Sequence, residues 1–275
     1  INYAASNGSI KCFKFLLLNH SELDESSFYY AVLGENIEII RIIDQYYNSK
    51  GINIDYHFDS NEFYNKINYK GDNYSNMKSK KTILAPIIPA IMKHQNDIFD
   101  WILESKYINK GIMGNDLFDL VSLAVQNGNV HAFIQCIDKG FDIKSLPLKS
   151  ICKIIEQSAS YGFYRLTQLI INLLDPEELD EESLCDLLEF EDSVFCGNMS
   201  LVKLYFSLDN IYYNAGKGFC TAIERGYLHI IKNIFESDYI KKIKLDESGI
   251  INSFVRTIQN QQSEIFEYLF YRTNL

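Results

Sequence analysis

The stretch DLVSLAVQNGNVHAFIQCIDKGFDI, residues 119–143, decides the fold that we predict for this chain. Its first apolar segment ends at Asn127-Gly128, and a second runs from Val130 to Lys139-Gly140. Glycine readily adopts the left-handed conformation that ends a helix, so this stretch predicts two short helices joined by a tight turn. Because the same unit recurs along the chain, the sequence predicts a repeat protein.

The recurrence is clearest when each copy is numbered from a small residue, which we call position 0. Position 0 holds Ala4, Ala31, Ala90, Ala124, Ser158, Ser193, Ala222 and Thr257. Position +8 holds Cys12, Ile39, Ile98, Ala132, Leu166, Leu201, Ile230 and Ile265, and position +12 holds Leu16, Ile43, Ile102, Cys136, Ile170, Tyr205, Ile234 and Leu269. Residues three and four apart share a helix face, so positions +8, +9 and +12 should line the buried side of each second helix.

Position +9 is apolar in seven copies, with Thr167 as the exception, and position +4 is glycine in five copies. Successive copies lie 27, 59, 34, 34, 35, 29 and 35 residues apart. A single helical hairpin cannot bury its own apolar face, whereas stacked copies can. The small residue at position 0 would let neighbouring helices approach closely.

Several short motifs resemble the ankyrin repeat, whose period is 33 residues. The motifs are Ala4-Ala5-Ser6-Asn7-Gly8, Ala222-Ile223-Glu224-Arg225-Gly226, the tail Asp138-Lys139-Gly140-Phe141-Asp142-Ile143, and Pro86 four residues before Ala90. The Thr-Pro-Leu-His start of that family is missing almost everywhere, so the β-hairpin fingers are expected to be degenerate. Residues 7–14 and 95–101 are similar to divergent ankyrin-like families expanded in parasitic protists.

The resemblance implies an all-α fold, a solenoid of stacked helix–turn–helix, ankyrin-like repeats with degenerate β-hairpin fingers. We expect one repeat domain over residues 1–275. Its eight repeats would span 1–19, 26–47, 85–105, 119–143, 151–174, 184–208, 217–240 and 250–273. A polar insert at 48–82, rich in Asn, Tyr, Lys, Ser and Asp, interrupts the array. The insert is either a solvated loop or an arm that contacts a partner.

Charge and composition exclude several classes of protein. The net charge is −10 and the pI is near 5.0, which disfavours nonspecific binding to nucleic acid. Ten acidic side chains lie within 175–192, as a solvated helix face or as a docking site for a basic partner. The longest apolar run, 83–92, is far shorter than the roughly 18–20 residues of a membrane span. The six cysteines lack CxxC spacing, so we expect reduced, buried thiols and a cytoplasmic protein.

No motif predicts catalysis, a cofactor or a metal. Ala215-Gly216-Lys217-Gly218 lacks the glycine and the Ser/Thr of a phosphate-binding loop, and we interpret it as a connecting loop. The stretch 55–59 offers three possible metal ligands, but it lies in the insert, where nothing fixes their geometry. We therefore expect no enzyme activity, no cofactor and no metal.

The expected function is that of a non-enzymatic scaffold or adaptor, which binds a partner protein on the concave face of the repeat array. The ankyrin resemblance implies that positions +2 and +3 make the contacts. These residues are Met92, Lys93, Gln126, Asn127, Ser160, Tyr161, Glu224 and Arg225. We expect a monomer that neither binds nucleic acid nor spans a membrane. The alternatives are a regulatory or substrate-recruiting fragment of an enzyme, and a purely structural spacer.

Overall fold

A computed structural model shows that the chain is built from α-helices. The structure describes residues 1–24, 26–50, 58–59, 81–82, 86–104, 115–174, 190–208, 215–237 and 247–273. Sixteen α-helices occupy most of these residues, which confirms the all-α class. The chain divides into two compact units, 1–141 and 142–275.

The first unit contains four pairs of helices and one short β-ladder. The helices are α1 (Asn2–Ser6), α2 (Ile10–Leu18), α3 (Ser27–Leu33), α4 (Ile37–Lys50), α5 (Ile87–Met92), α6 (Asn96–Glu104), α7 (Asn115–Gln126) and α8 (Val130–Asp138). The strands β1 (Phe58–Asp59) and β2 (Lys81–Thr82) pair antiparallel, with Phe58 opposite Thr82. First helices pack on first helices in the order α1, α3, α5, α7, while α2 packs on α4 and α6 packs on α8.

The second unit repeats this arrangement with four further pairs. Its helices are α9 (Leu148–Ser160), α10 (Tyr164–Leu174), α11 (Phe190–Phe195), α12 (Met199–Ser207), α13 (Ala215–Glu224), α14 (Leu228–Glu236), α15 (Glu247–Gln259) and α16 (Ser263–Thr273). A 3₁₀ turn at Ile143–Ser145 precedes α9. The first helices pack in the order α9, α11, α13, α15, and α10 contacts α12 while α14 contacts α16.

The small residues at position 0 are buried in all eight pairs. Each lies in a first helix, where a larger side chain would hold the neighbouring first helix away. Three of the eight carry a hydroxyl group that needs a partner in the core. Ser158 Oγ lies 2.9 Å from Thr167 Oγ1 and donates to the carbonyl oxygen of Ile155. The one polar residue at position +9 is therefore matched by a polar residue at position 0 of the same pair.

The turn between the two helices of a pair has the same backbone conformation in all eight copies. Position +4 has a positive φ in the five glycine copies and in the three others, Glu35, His94 and Gln261. In six of the eight copies the amide of position +5 donates to the carbonyl oxygen of position 0, as Asn129 does to Ala124 at 2.8 Å. This is the hydrogen bond of a Schellman helix end, which requires the left-handed residue.

The buried side of the second helices departs from the prediction at four residues, of which Leu16 at position +12 and Phe266 at position +9 are half-buried. Position +8 is buried in six copies, but Cys12 is exposed and Ile98 is half-buried. In α6, the fully buried residue is Phe99, one position further along.

Another departure concerns Ala215-Gly216-Lys217-Gly218, which is the first turn of α13 and not a connecting loop. The close packing of α13 on α11 explains Gly218. A Cβ atom there would lie 2.4 Å from the ring of Phe190. Most of the insert and residues 175–189 of the acidic stretch lie outside the described residues. Seven residues of the predicted insert are described: 48–50 form the end of α4, and 58–59 and 81–82 form the β-ladder.

Candidate binding surface

The predicted contact residues occupy the ends of the first helices, at positions +2 and +3. Each first helix ends there because position +4 is left-handed, so these side chains follow the last helical turn. The structure places Met92 and Lys93 next to Gln126 and Asn127, since α5 packs on α7. Ser160 and Tyr161 end α9, and Glu224 and Arg225 end α13, with α11 packed on both helices.

In the first unit, contacts between neighbouring pairs already hold these residues. Lys93 Nζ lies 3.2 Å from Glu35 Oε1 in the preceding pair, and both side chains are half exposed. His94 Nε2 lies 2.9 Å from the carbonyl oxygen of Asn127 in the following pair. Met92 and Gln126 are half-buried. This part of the surface is polar and already partly paired.

In the second unit, the surface contains exposed aromatic rings together with arginine. Tyr161 is 57% exposed, and its ring lies 6.1 Å from that of Phe163. The guanidinium carbon of Arg225 lies 3.9 Å from the centre of the Phe195 ring, a close cation–π contact. The neighbouring Glu224 forms an ion pair with Arg256 of the next pair. Aromatic rings and arginine provide most of the binding energy in many protein interfaces.

Sequence reasoning missed Phe195. It occupies position +2 of the sixth pair, is exposed, and lies under Arg225. The same numbering that selected Glu224 and Arg225 points to Phe195 and Cys196. Phe195 would have been among the predicted contact residues if positions +2 and +3 had been taken from all eight copies.

Sequence reasoning also missed the amide side chains at position +5. Asn129 Oδ1 accepts from the amide of Ala132 and so caps α8, while its Nδ2 donates to the carbonyl oxygen of Ile91 in the preceding pair. Asn36 likewise caps α4, and its Nδ2 donates to the carbonyl oxygen of Gly8. Asn198 caps α12, and its Nδ2 donates to the carbonyl oxygen of Gly162. One side chain therefore both starts a helix and joins two pairs. The signal in the sequence is an Asn or Gln at position +5 in five copies.

The described cysteines do not form disulfides. Cys12, Cys136, Cys152, Cys196 and Cys220 are free thiols, and Cys136 alone among them is fully buried. Burial raises the pKa of Cys136 to about 12, so its reactive thiolate form is suppressed at neutral pH. The described residues contain no group of three His, Cys, Asp or Glu side chains placed to hold a metal ion.

Comparisons with protein-family models and with curated proteins found no match. None of the described helices has the length and apolar character that a membrane crossing requires. The geometry of the chain itself therefore defines its class: an all-helical protein in which first helices pack side by side within each unit.

Proposed function

We propose that this chain is a non-enzymatic, ankyrin-like scaffold that binds a partner protein at the ends of its first helices. One observation carries the proposal: the exposed Tyr161 lies one helix away from the stacked Phe195 and Arg225. Interfaces concentrate their binding energy in such residues, because a large rigid ring buries much area and loses little side-chain entropy.

The ion pairs around these rings also support a binding surface. Lys217 pairs with Glu191, and Arg256 pairs with Glu224, so each bridge joins successive first helices. Exposed ion pairs add little stability, but they fix side-chain geometry across neighbouring helices. A partner would therefore contact aromatic side chains that are held in place and surrounded by polar groups. An apolar centre with a polar rim is the usual composition of a protein interface.

The test is proximity labelling in the native cell with the wild-type chain and a variant that carries Tyr161→Ala, Phe195→Ala and Arg225→Ala. We expect the specific partners of the wild type to be lost, while the melting temperature stays close to that of the wild type. Tyr271→Ala is the matched control, since it also removes an exposed tyrosine but lies in a second helix, α16. Equal labelling of every partner by all three proteins would refute this binding surface.

A further inference from the structure

Arg225 carries a positive charge that no carboxylate of the described residues neutralises. It is exposed and directly follows α13. The adjacent carboxylate, Glu224, forms an ion pair with Arg256 of the next helix pair. The carboxylate of Glu191, on the neighbouring α11, is likewise paired with Lys217. Neither carboxylate therefore offsets the charge of Arg225, which is left open to a partner.

The contact with Phe195 sets the orientation of the Arg225 guanidinium group. The guanidinium carbon lies 3.9 Å from the centre of the ring, so the planar group lies against the face of the ring. The N–H donors of arginine lie in the plane of that group. They stay available at its edge, where they can donate two parallel hydrogen bonds to one oxyanion.

Hydrogen bonds on both sides hold the turn that carries Phe195. Tyr227 Oη donates to the carbonyl oxygen of Phe195 at 3.3 Å, from the following pair. On the other side, Asn198 Nδ2 donates to the carbonyl oxygen of Gly162, the residue after Tyr161. The backbone turns that carry Tyr161 and Phe195 are thus fixed relative to each other before a partner binds, which lowers the entropy cost of binding.

These contacts define the chemistry of a partner. The rings of Tyr161 and Phe195 favour an apolar side chain, and the N–H groups of Arg225 favour an oxyanion beside it. We infer that the partner contributes an acidic segment, in which an Asp or Glu carboxylate pairs with Arg225 and an adjacent apolar side chain packs on the two rings. The inference rests on the proposed function, since it names the partner of the same surface.

A carboxylate fits this surface better than a phosphate group does. A phosphorylated side chain carries a charge of about −1.5 to −2, and clusters of arginine usually bind it. Arg225 is the only cation stacked on Tyr161 or Phe195 in the described part of the chain. A carboxylate carries a single negative charge, and the paired donors of one arginine satisfy both of its oxygens.

The net charge of the chain determines which rate the contact should change. A charge of −10 gives an acidic segment no long-range attraction to the protein. Distant charges are screened beyond about 8–10 Å at physiological salt, so the contact with Arg225 acts mainly once the segment is bound. We therefore expect the loss of this contact to speed dissociation and to leave the association rate nearly unchanged.

A displayed library of short random peptides tests the inference on the whole chain. We expect the wild type to enrich peptides that contain Asp or Glu next to a large apolar residue. Arg225→Glu should instead enrich peptides with Lys or Arg at that place, because the charge at the surface is reversed. Lys203→Glu is the matched control, since it makes the same charge change at an exposed residue of a second helix, α12, and should select as the wild type does.

The peptide that the wild type enriches most is then measured with each variant by biolayer interferometry. Arg225→Ala should weaken its binding about ten- to hundredfold through faster dissociation, as the loss of a hydrogen bond between charged groups does. Arg225→Lys keeps the charge but not the planar pair of donors, so its affinity should lie between those of Arg225→Ala and the wild type. Melting temperatures should match, because Arg225 is exposed.

Two results separate this inference from the proposed function. Peptides that lose binding with Tyr161→Ala and with Phe195→Ala but keep it with Arg225→Glu would overturn the acidic partner and leave the surface intact. Peptides that bind equally well to the variant with all three alanine substitutions would overturn both.

Two further results would overturn the inference alone. One is a folded wild-type chain that enriches no peptide, because proximity labelling tests the surface independently. The other is tighter binding when phosphoserine replaces the acidic residue of the enriched peptide, because the surface would then be a phosphate site.

Discussion

Gln261 ends the first helix of the eighth pair with φ of +56°. Left-handed conformation costs a residue with a Cβ atom about 1–2 kcal/mol, whereas glycine adopts it freely. Five of the eight copies use glycine at this position, and Glu35 and His94 are the other two exceptions. Glu35 pairs with Lys93, and His94 contacts the carbonyl of Asn127, so both side chains offset part of this cost.

We therefore expect Gln261→Gly to stabilise the protein by roughly 0.5–1 kcal/mol. The substitution removes the strain of the left-handed residue, and the gain is reduced by the greater freedom of glycine in the unfolded chain. Gln261 itself is exposed. Urea denaturation followed by circular dichroism measures the change in the free energy of unfolding.

The reverse substitution, Gly226→Ala, provides the control. Gly226 has φ of +75°, and an added Cβ would lie 2.9 Å from Gln262 Oε1. Gly226→Ala should lower the free energy of unfolding by about 1 kcal/mol or more. If both substitutions destabilise the protein, backbone strain at position +4 does not explain the preference for glycine.

Asp24 makes the stability of the first unit depend on pH. Burial alone would raise the pKa of this carboxyl group, but hydrogen bonds from Ser26, Asn2 and Ser27 outweigh burial and lower the pKa below its usual value. A lowered folded-state pKa means that the carboxylate stabilises the fold above the unfolded-state pKa, near 3.9. That contribution disappears as the pH falls through the lower, folded-state value.

Asp24→Asn should therefore be less stable than the wild type at neutral pH, and the difference should shrink below about pH 4. Melting temperatures of both proteins between about pH 7 and pH 3 would measure it. A difference that stays constant over this range would show that the loss comes from hydrogen-bond geometry and not from the charge of Asp24.

Among the second helices, α14 buries all three residues at positions +8, +9 and +12, whereas α6 does not. Ile230, Ile231 and Ile234 are fully buried in α14, whereas Ile98 in α6 is half-buried beside the fully buried Phe99. Truncating a buried isoleucine removes its burial energy and also leaves a cavity. Truncating a half-buried isoleucine costs less stability, because water fills part of the space that its side chain leaves.

Ile230→Ala should accordingly cost about 2–5 kcal/mol. Ile98→Ala, which the sequence placed in the same class, should cost about 1–2 kcal/mol because part of its surface is already hydrated. Chemical denaturation of the two variants beside the wild type compares them directly. Equal costs would show that Ile98 is packed as tightly as Ile230.

The helical pairing could be read from the sequence because it depends on local chemistry. Small residues at position 0, apolar residues at +8 and +12, and glycine at +4 each act within one pair, so their spacing alone reveals them. The exceptions at +4 could not be foreseen, since Glu35, His94 and Gln261 adopt positive φ only because the surrounding turn imposes it.

Contacts between pairs were harder to predict, because they join residues far apart in the chain. The donation from Asn129 Nδ2 to Ile91 spans 38 residues, and a fixed repeat spacing is needed to foresee it. The exposure of Cys12 could not be predicted either, because six other residues at position +8 are buried. Among the contact residues, Phe195 was missed because its pair was left out.

At the scale of the whole molecule, stability should vary along the row of pairs. In repeat proteins each unit is stabilised mainly by its neighbours, so a pair flanked on one side opens more easily. In the second unit, α13 packs on both α11 and α15, while α15 packs on α13 and on its own partner α16. The pair α15–α16 exposes Ile258 at position +1, which the other pairs bury.

Amide hydrogen exchange in dilute solution should therefore be faster in α15–α16 than in α13–α14. The two pairs have similar lengths and belong to the same unit, so α13–α14 is an internal control. Uniform exchange across the two pairs would contradict stabilisation by neighbours.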